Sequence, residues 1–95
     1  MHREVDWMMR VDHYILECLG KCPELELTPS VVASNIDYSR SYVGNRIRDL
    51  VKTGLVENRG DGYYQISEIG IQYVNNELSA EELRNLGASH LERED

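Results

Sequence analysis

The residues Ser39 to Leu50, SRSYVGNRIRDL, place Arg40, Arg46 and Arg48 among Ser39, Ser41, Tyr42 and Asn45, with Lys52 two residues further on and Arg59 beyond it. Guanidinium groups fork onto phosphate or onto paired acceptors, amide side chains bond donor–acceptor edges, and hydroxyls complete a phosphate shell. The chemistry on offer is recognition of an anionic, hydrogen-bonding surface. It stands out because the 95-residue chain is acidic: 10 Lys and Arg against 17 Asp and Glu, a formal charge of −7. Residues 38–60 hold five basic and two acidic groups, a local +3, while the segments before and after are negative. Local field rather than net charge decides whether a polyanion can approach.

The other chemically capable residues form no comparable group. Cys18 and Cys22 are the only cysteines, in a C-x3-C spacing within a helical pattern. A zinc site would need two further ligands, with His13 the only one nearby, so packing on one helix face with Val11 and Ile15 is the expected role. His2, His13 and His90 show no metal spacing and are expected at the surface. The chain has no phosphate-cradling glycine loop, no nucleophile–base pair and no complete ligand set, so no catalytic residue, metal, cofactor or small-molecule ligand is inferred.

Those cationic residues require elements to hold them. Apolar Met8, Val11, Ile15, Cys18 and Leu19 recur at three- and four-residue intervals, predicting a helix from about Met8 to Leu19 that ends at Gly20 and Pro23. ELELT, Glu24–Thr28, alternates and predicts a very short strand. Thr28-Pro29 reads as an N-cap followed by proline at the first helical position, opening a short helix to Asn35 with Val32, Ala33 and Ile36 inward. Asp37-Tyr38 turns the chain and Ser39 caps the next helix, which runs to Thr53 and stops at Gly54. At about 100° per residue, Ile47, Leu50 and Val51 fall on one stripe beside Val43, and Ser41, Asn45, Arg48 and Lys52 on the opposite side, flanked by Tyr42, Arg46 and Asp49. Leu55–Asn58, a Gly60-Asp61-Gly62 turn and Tyr63–Ile66 predict a hairpin, with Tyr64 as its outward tyrosine. Ser67 caps a fourth helix carrying Ile69, Tyr73, Val74 and Leu78. Ser79 and Glu82 form a capping box for a last short helix with Leu83 and Leu86, stopped by Gly87.

Helix, short strand, short helix, tight turn, longer helix and hairpin is the order of a winged helix-turn-helix: a mainly α, α+β fold with a three-helix core, a β-hairpin wing and C-terminal helices. In that arrangement the third helix presents its outward face to the DNA major groove. The stretch TPSVVASNIDYSRSYVGNRIRDLVKTGLVENRGDGYYQISEIG resembles the winged-helix domain of archaeal MarR-like transcription regulators. With DWM, VDHYILECL and YVNNELSAEEL added, the chain is similar to the phage-repressor-like winged-helix proteins of halophilic archaea. The resemblance implies sequence-specific binding of double-stranded DNA and transcriptional repression. It also matches a recognition helix to Ser39–Lys52 and a wing to Asn58–Tyr64, with Arg59 where the family often carries an arginine to the minor groove. Asp61 in this short wing opposes deep insertion.

On this reading Asn45 is placed to bond adenine and Arg48 or Arg46 to take a guanine edge. Ser39, Arg40 and Ser41 sit at the helix N-terminus facing phosphate, Tyr42 against sugar or phosphate, and Lys52 against the backbone. The alternative for each is an ordinary solvated helix face, with Asp49 pairing to Arg46 or Lys52. A homodimer on a partly palindromic operator is expected, with Trp7, Tyr73, Leu78, Leu83 and Leu86 as candidate contacts. A winged-helix protein–protein interaction module without sequence-specific DNA binding is the competing class. The length fits one domain, 1–95, with 1–7 as an N-terminal segment and 79–95 as a short helix and an acidic tail expected to fray. Without a membrane span or leader pattern the expected location is cytoplasmic. Acidity with only two lysines, Lys21 and Lys52, suggests a salt-rich cytoplasm.

Overall fold

The structure is a computed structural model that describes residues 7–92, with side chains described to Leu86. Five helices and one hairpin follow in the order α1 (Arg10–Lys21), α2 (Pro29–Ile36), α3 (Arg40–Thr53), β1 (Val56–Gly60), β2 (Tyr63–Ile66), α4 (Glu68–Val74) and α5 (Ala80–Glu92). The fold is the expected α+β winged helix.

Local chemistry starts most of these helices. Thr28 accepts a bond from the Val31 amide ahead of Pro29, Ser39 from Tyr42 and Ser67 from Gly70. Ser79 and Glu82 exchange reciprocal bonds at the start of α5, the Ser79 amide to Glu82 Oε1 at 2.7 Å and the Glu82 amide to Ser79 Oγ at 3.1 Å. α3 ends on Gly54 with φ +88°, a left-handed cap that glycine adopts without steric penalty.

The core lies where α1, α2 and α3 meet the hairpin. Ile15, Leu16 and Leu19 of α1, Val32 and Ala33 of α2, and Val43, Ile47 and Leu50 of α3 are buried, with Leu55, Val56 and Ile66 closing one side and Tyr73, Leu78 and Leu83 another. Removing this apolar surface from water is the main stabilising term, worth about 1.5–3 kcal/mol for each fully buried Leu, Ile or Val.

Several local expectations gave way to packing. Gly20 does not end α1, which continues through Lys21. A Cβ at Gly20 would lie 3.2 Å from Val74 Cγ2, so the glycine permits close approach of α4. Gly87 likewise lies inside α5, which runs to Glu92 and is not short. The Glu24–Thr28 strand reduces to one bridge, in which Leu27 and Tyr64 exchange backbone bonds of 2.7 and 2.8 Å.

That bridge sets the hairpin faces. Tyr64 points into the core, and Tyr63 is the outward tyrosine at 44% exposure, reversing the sequence expectation. Once β2 is pinned to Leu27, alternation puts Tyr64 and Ile66 on one face. In α4, Ile69 faces outward, and Leu78 is buried in the connection after the helix. His13 is buried, not superficial, with its Nδ1 hydrogen-bonded to the Tyr73 hydroxyl. His2 lies outside the described residues. Cys18 and Cys22 are free and half-buried, and Cys18 packs on the core, where burial raises its pKa against the lowering effect of Lys21.

Candidate nucleic-acid interface

α3 is held at both ends and along one side, which leaves one side to solvent. Asp37, in the left-handed region at φ 64°, closes α2 by donating from its amide to the Ala33 carbonyl, and the Tyr38 amide donates to the same oxygen. Two residues later Ser39 caps α3, so the joint between the helices is short and hydrogen-bonded on both sides. The buried stripe Val43, Ile47 and Leu50 then turns Ser41, Asn45, Arg48 and Lys52 outward, and all four are exposed. Arg40 and Tyr42 are exposed on its first turn. Arg48 donates from Nη2 to Asn45 Oδ1, which holds an amide and a guanidinium side by side.

Beside this face lies an open groove of about 460 Å³. Thr28, Pro29 and Ser30 at the start of α2 form one wall, Arg40, Ser41, Gly44 and Arg48 the floor, and Asp61 and Gly62 of the hairpin tip the other wall. A helix N-terminus and two guanidinium groups suit a phosphate, while the Asp61 carboxylate opposes one.

Arg46 does not share the outward face. Its side chain is only 14% exposed and turns toward α1, where Nε meets Asp12 Oδ1 at 3.0 Å and Nη2 meets Asp12 Oδ2 at 2.7 Å. Nη1 reaches Asp49 Oδ2 at 3.0 Å, and Nη2 also donates to the Trp7 carbonyl at 3.3 Å. Bonding to Asp12 raises the Arg46 pKa further, outweighing the lowering by burial, so the group is a permanent cation. This departs from the base-reading role expected for Arg46 from sequence: four of its five N–H donors are engaged inside the protein.

A family model described as the winged helix-turn-helix phage repressor matches residues 1–86. The chain belongs to that family. Over 86 residues it is 38% identical to the repressor protein of Halobacterium phage phiH, covering 87% of this chain and 97% of that one. No solved structure matches it. The family match takes in the whole helix-turn-helix, the hairpin and the first half of α5.

The wing of this family member is short and tightly made. Gly60, Asp61 and Gly62 all have positive φ, at 97°, 56° and 83°, and the Gly60 amide donates to Asn58 Oδ1 at 2.9 Å. Between Asn58 and Gly60 the register slips, leaving Arg59 as an extra residue on β1. Arg59 is 47% exposed and faces Glu26 and Glu57 at 3.5 Å each, pairings that solvent weakens.

The expected dimer contacts fall mostly inside the monomer. Tyr73, Leu78 and Leu83 are 4%, 5% and 0% exposed: α4 packs on α1, where Tyr73 meets His13, and α5 packs on α3. Trp7 is half-buried and donates from Nε1 to the Leu83 carbonyl at 2.8 Å, and Leu86 packs against the same cluster. Residues that the sequence reading passed over are Asp12, buried beneath Arg46, and Thr28 to Ser30 at the groove wall. Asp12 lies near the start of α1, and no local signal joins it to a partner 34 positions away.

Proposed function

We propose that this chain is a sequence-specific DNA-binding transcriptional repressor that reads the major groove with the outward face of α3. The observation that carries this reading is the exposed row Ser41, Asn45, Arg48 and Lys52, held outward by a fully buried stripe in a member of a repressor family. Asn45 and Arg48 read base edges. Ser39, Arg40, Ser41, Tyr42 and Lys52 meet sugar and phosphate, and Arg59 on the wing meets the flanking backbone. The chain acts by occupying DNA, not by catalysis, as a homodimer on a partly palindromic site in the cytoplasm. Two recognition helices double the number of bases read. Among the described residues no helix is long and apolar enough to cross a membrane.

The resemblance to archaeal MarR-like regulators and the acidic composition fit a host with a salt-rich cytoplasm, as does a relative from a Halobacterium phage. Melting temperature measured from low salt to molar KCl tests that point, and a protein indifferent to salt speaks against it.

The direct test is selection from a random-site duplex pool at several salt concentrations, followed by binding of Asn45→Ala and Arg48→Ala to the selected duplex. Each substitution is expected to weaken binding by about 1–3 kcal/mol and relax preference at one base position. Unchanged affinity and preference in both variants would remove these residues from the reading face. Sedimentation of the complex gives two chains per site if the dimer is correct.

A further inference from the structure

We infer that Asp12 and Arg46 are positioning residues for DNA reading: their buried ion pair sets the rotation of α3 about its own axis and so aims Asn45 and Arg48. The inference rests on the base-reading role proposed above for those two residues.

The apolar side of α3 decides which face is buried, but it is a less exact angular reference: Val43, Ile47 and Leu50 are buried, and hydrophobic burial is non-directional. A reading helix has little tolerance. A turn of about 15° moves a side-chain tip lying about 6 Å from the axis by about 1.5 Å, well beyond the roughly 0.5 Å within which a functional group must be held.

Arg46 supplies the missing direction. It follows Asn45 in sequence and is two residues before Arg48, so its orientation and theirs are rigidly coupled through one helix turn. Its fork closes on both oxygens of Asp12, which is 0% exposed, at 3.0 and 2.7 Å. Asp12 is itself fixed, since Oδ2 also accepts from the Met9 amide at 2.9 Å in the first turn of α1. The Arg46 contact with the Trp7 carbonyl continues through the Trp7 indole to the Leu83 carbonyl of α5. One guanidinium therefore references α3 to α1, to the approach to α1 and to α5. A planar bidentate pair is sensitive to angle as well as distance, which a hydrophobic contact is not. Buried ion pairs are often replaceable by apolar residues without loss of stability, so stability alone does not require this one.

The test uses two duplexes, one selected from a random-site pool by the wild-type chain and one scrambled duplex of equal length. The double variant Asp12→Leu/Arg46→Met replaces the pair by apolar groups, and Arg46→Lys keeps the charge while removing the fork. Circular dichroism establishes that each variant is folded.

The expected result is an about tenfold fall in the ratio of specific to scrambled affinity for the double variant, the loss of roughly one base contact. Arg46→Lys is expected to show a fall of about threefold or more, since an ammonium is a point charge without the planar fork that fixes an angle. Affinity for the scrambled duplex and the slope of log affinity against log salt are expected to stay at wild-type values, because Arg46 neutralises no phosphate. A folded variant with the wild-type ratio overturns the inference. So does a salt slope lowered by about one ion in Arg46→Lys or the double variant, which would mean that Arg46 touches DNA directly. If the double variant does not fold, the Arg46→Lys ratio decides alone. Arg48→Ala separates the two levels. If it loses specificity while the Arg46 variants do not, DNA reading stands and the positioning role falls. If the wild-type chain selects no sequence, both fall.

Discussion

Gly70 provides a test in which two physical effects predict opposite signs. It occupies the third position of α4, a helix of seven residues, and it is buried. On helix propensity alone, Gly70→Ala stabilises by up to about 1 kcal/mol, because alanine restricts the unfolded backbone and glycine does not. The tertiary setting reverses this. A Cβ built at Gly70 would stand 2.2 Å from the Leu55 carbonyl oxygen and 2.6 Å from Ile66 Cγ1.

The first neighbour is backbone and cannot rotate away, so α4 and the start of the hairpin must separate by about 1 Å or more to restore ordinary contact. That movement strains the bond from the Ser67 amide to the Leu55 carbonyl at 3.0 Å, worth about 0.5–1.5 kcal/mol. Overpacking adds about 1–3 kcal/mol. With the propensity gain subtracted, the net expectation is a loss of about 1–3 kcal/mol, or about 5–20 °C in melting temperature for a chain of this length. A thermal melt followed by circular dichroism at fixed salt measures it. A Gly70→Ala protein that melts at or above the wild-type temperature would refute the close approach on which the estimate stands.

Three further outcomes follow from the geometry. Asp61→Asn removes a carboxylate from the wall of the basic groove while keeping a residue suited to φ 56°; DNA affinity is expected to rise about twofold to fivefold at low salt and to converge with wild type at high salt, measured by fluorescence anisotropy. Tyr64→Ala is expected to destabilise by about 3–5 kcal/mol and Tyr63→Ala by no more than about 0.5 kcal/mol in denaturant titrations, and equal effects would contradict the observed strand faces. Because burial raises the Cys18 pKa, its thiol is expected to alkylate more slowly at pH 8 in the native protein than in denaturant, which peptide mapping after timed iodoacetamide treatment detects; equal rates would argue against its packed position.

Much of the fold was legible from the chain because its punctuation is local. A capping hydroxyl bonds an amide three residues on, and proline fixes its own φ, so Thr28-Pro29, Ser39, Ser67 and Ser79 announced four helix starts. The outward row on α3 was legible for a similar reason: helical periodicity separates Val43, Ile47 and Leu50 from Ser41, Asn45, Arg48 and Lys52 within one turn or two.

Distant partners were not legible. Arg46 looks like its neighbour Arg48 until α1 brings Asp12 beneath it, and the two arginines then have opposite destinations. Tyr63 and Tyr64 are interchangeable by composition until Leu27 pins the strand. Gly20 reads as a helix end, whereas it lies inside α1 against Val74, and Gly70 admits the Leu55 carbonyl too close for a side chain. Tyr73, Leu78 and Leu83 offered themselves as contacts for a second chain and are instead used by the first.

The sequence by itself therefore determined the order of elements, their capped starts and the polar face of α3, since each depends on interactions spanning a few residues. Which cation faces outward, which tyrosine is core and how α3 is rotated depend on groups many positions apart. Only closure of the tertiary structure brings those groups within bonding distance, and there burial and directional bonds decide.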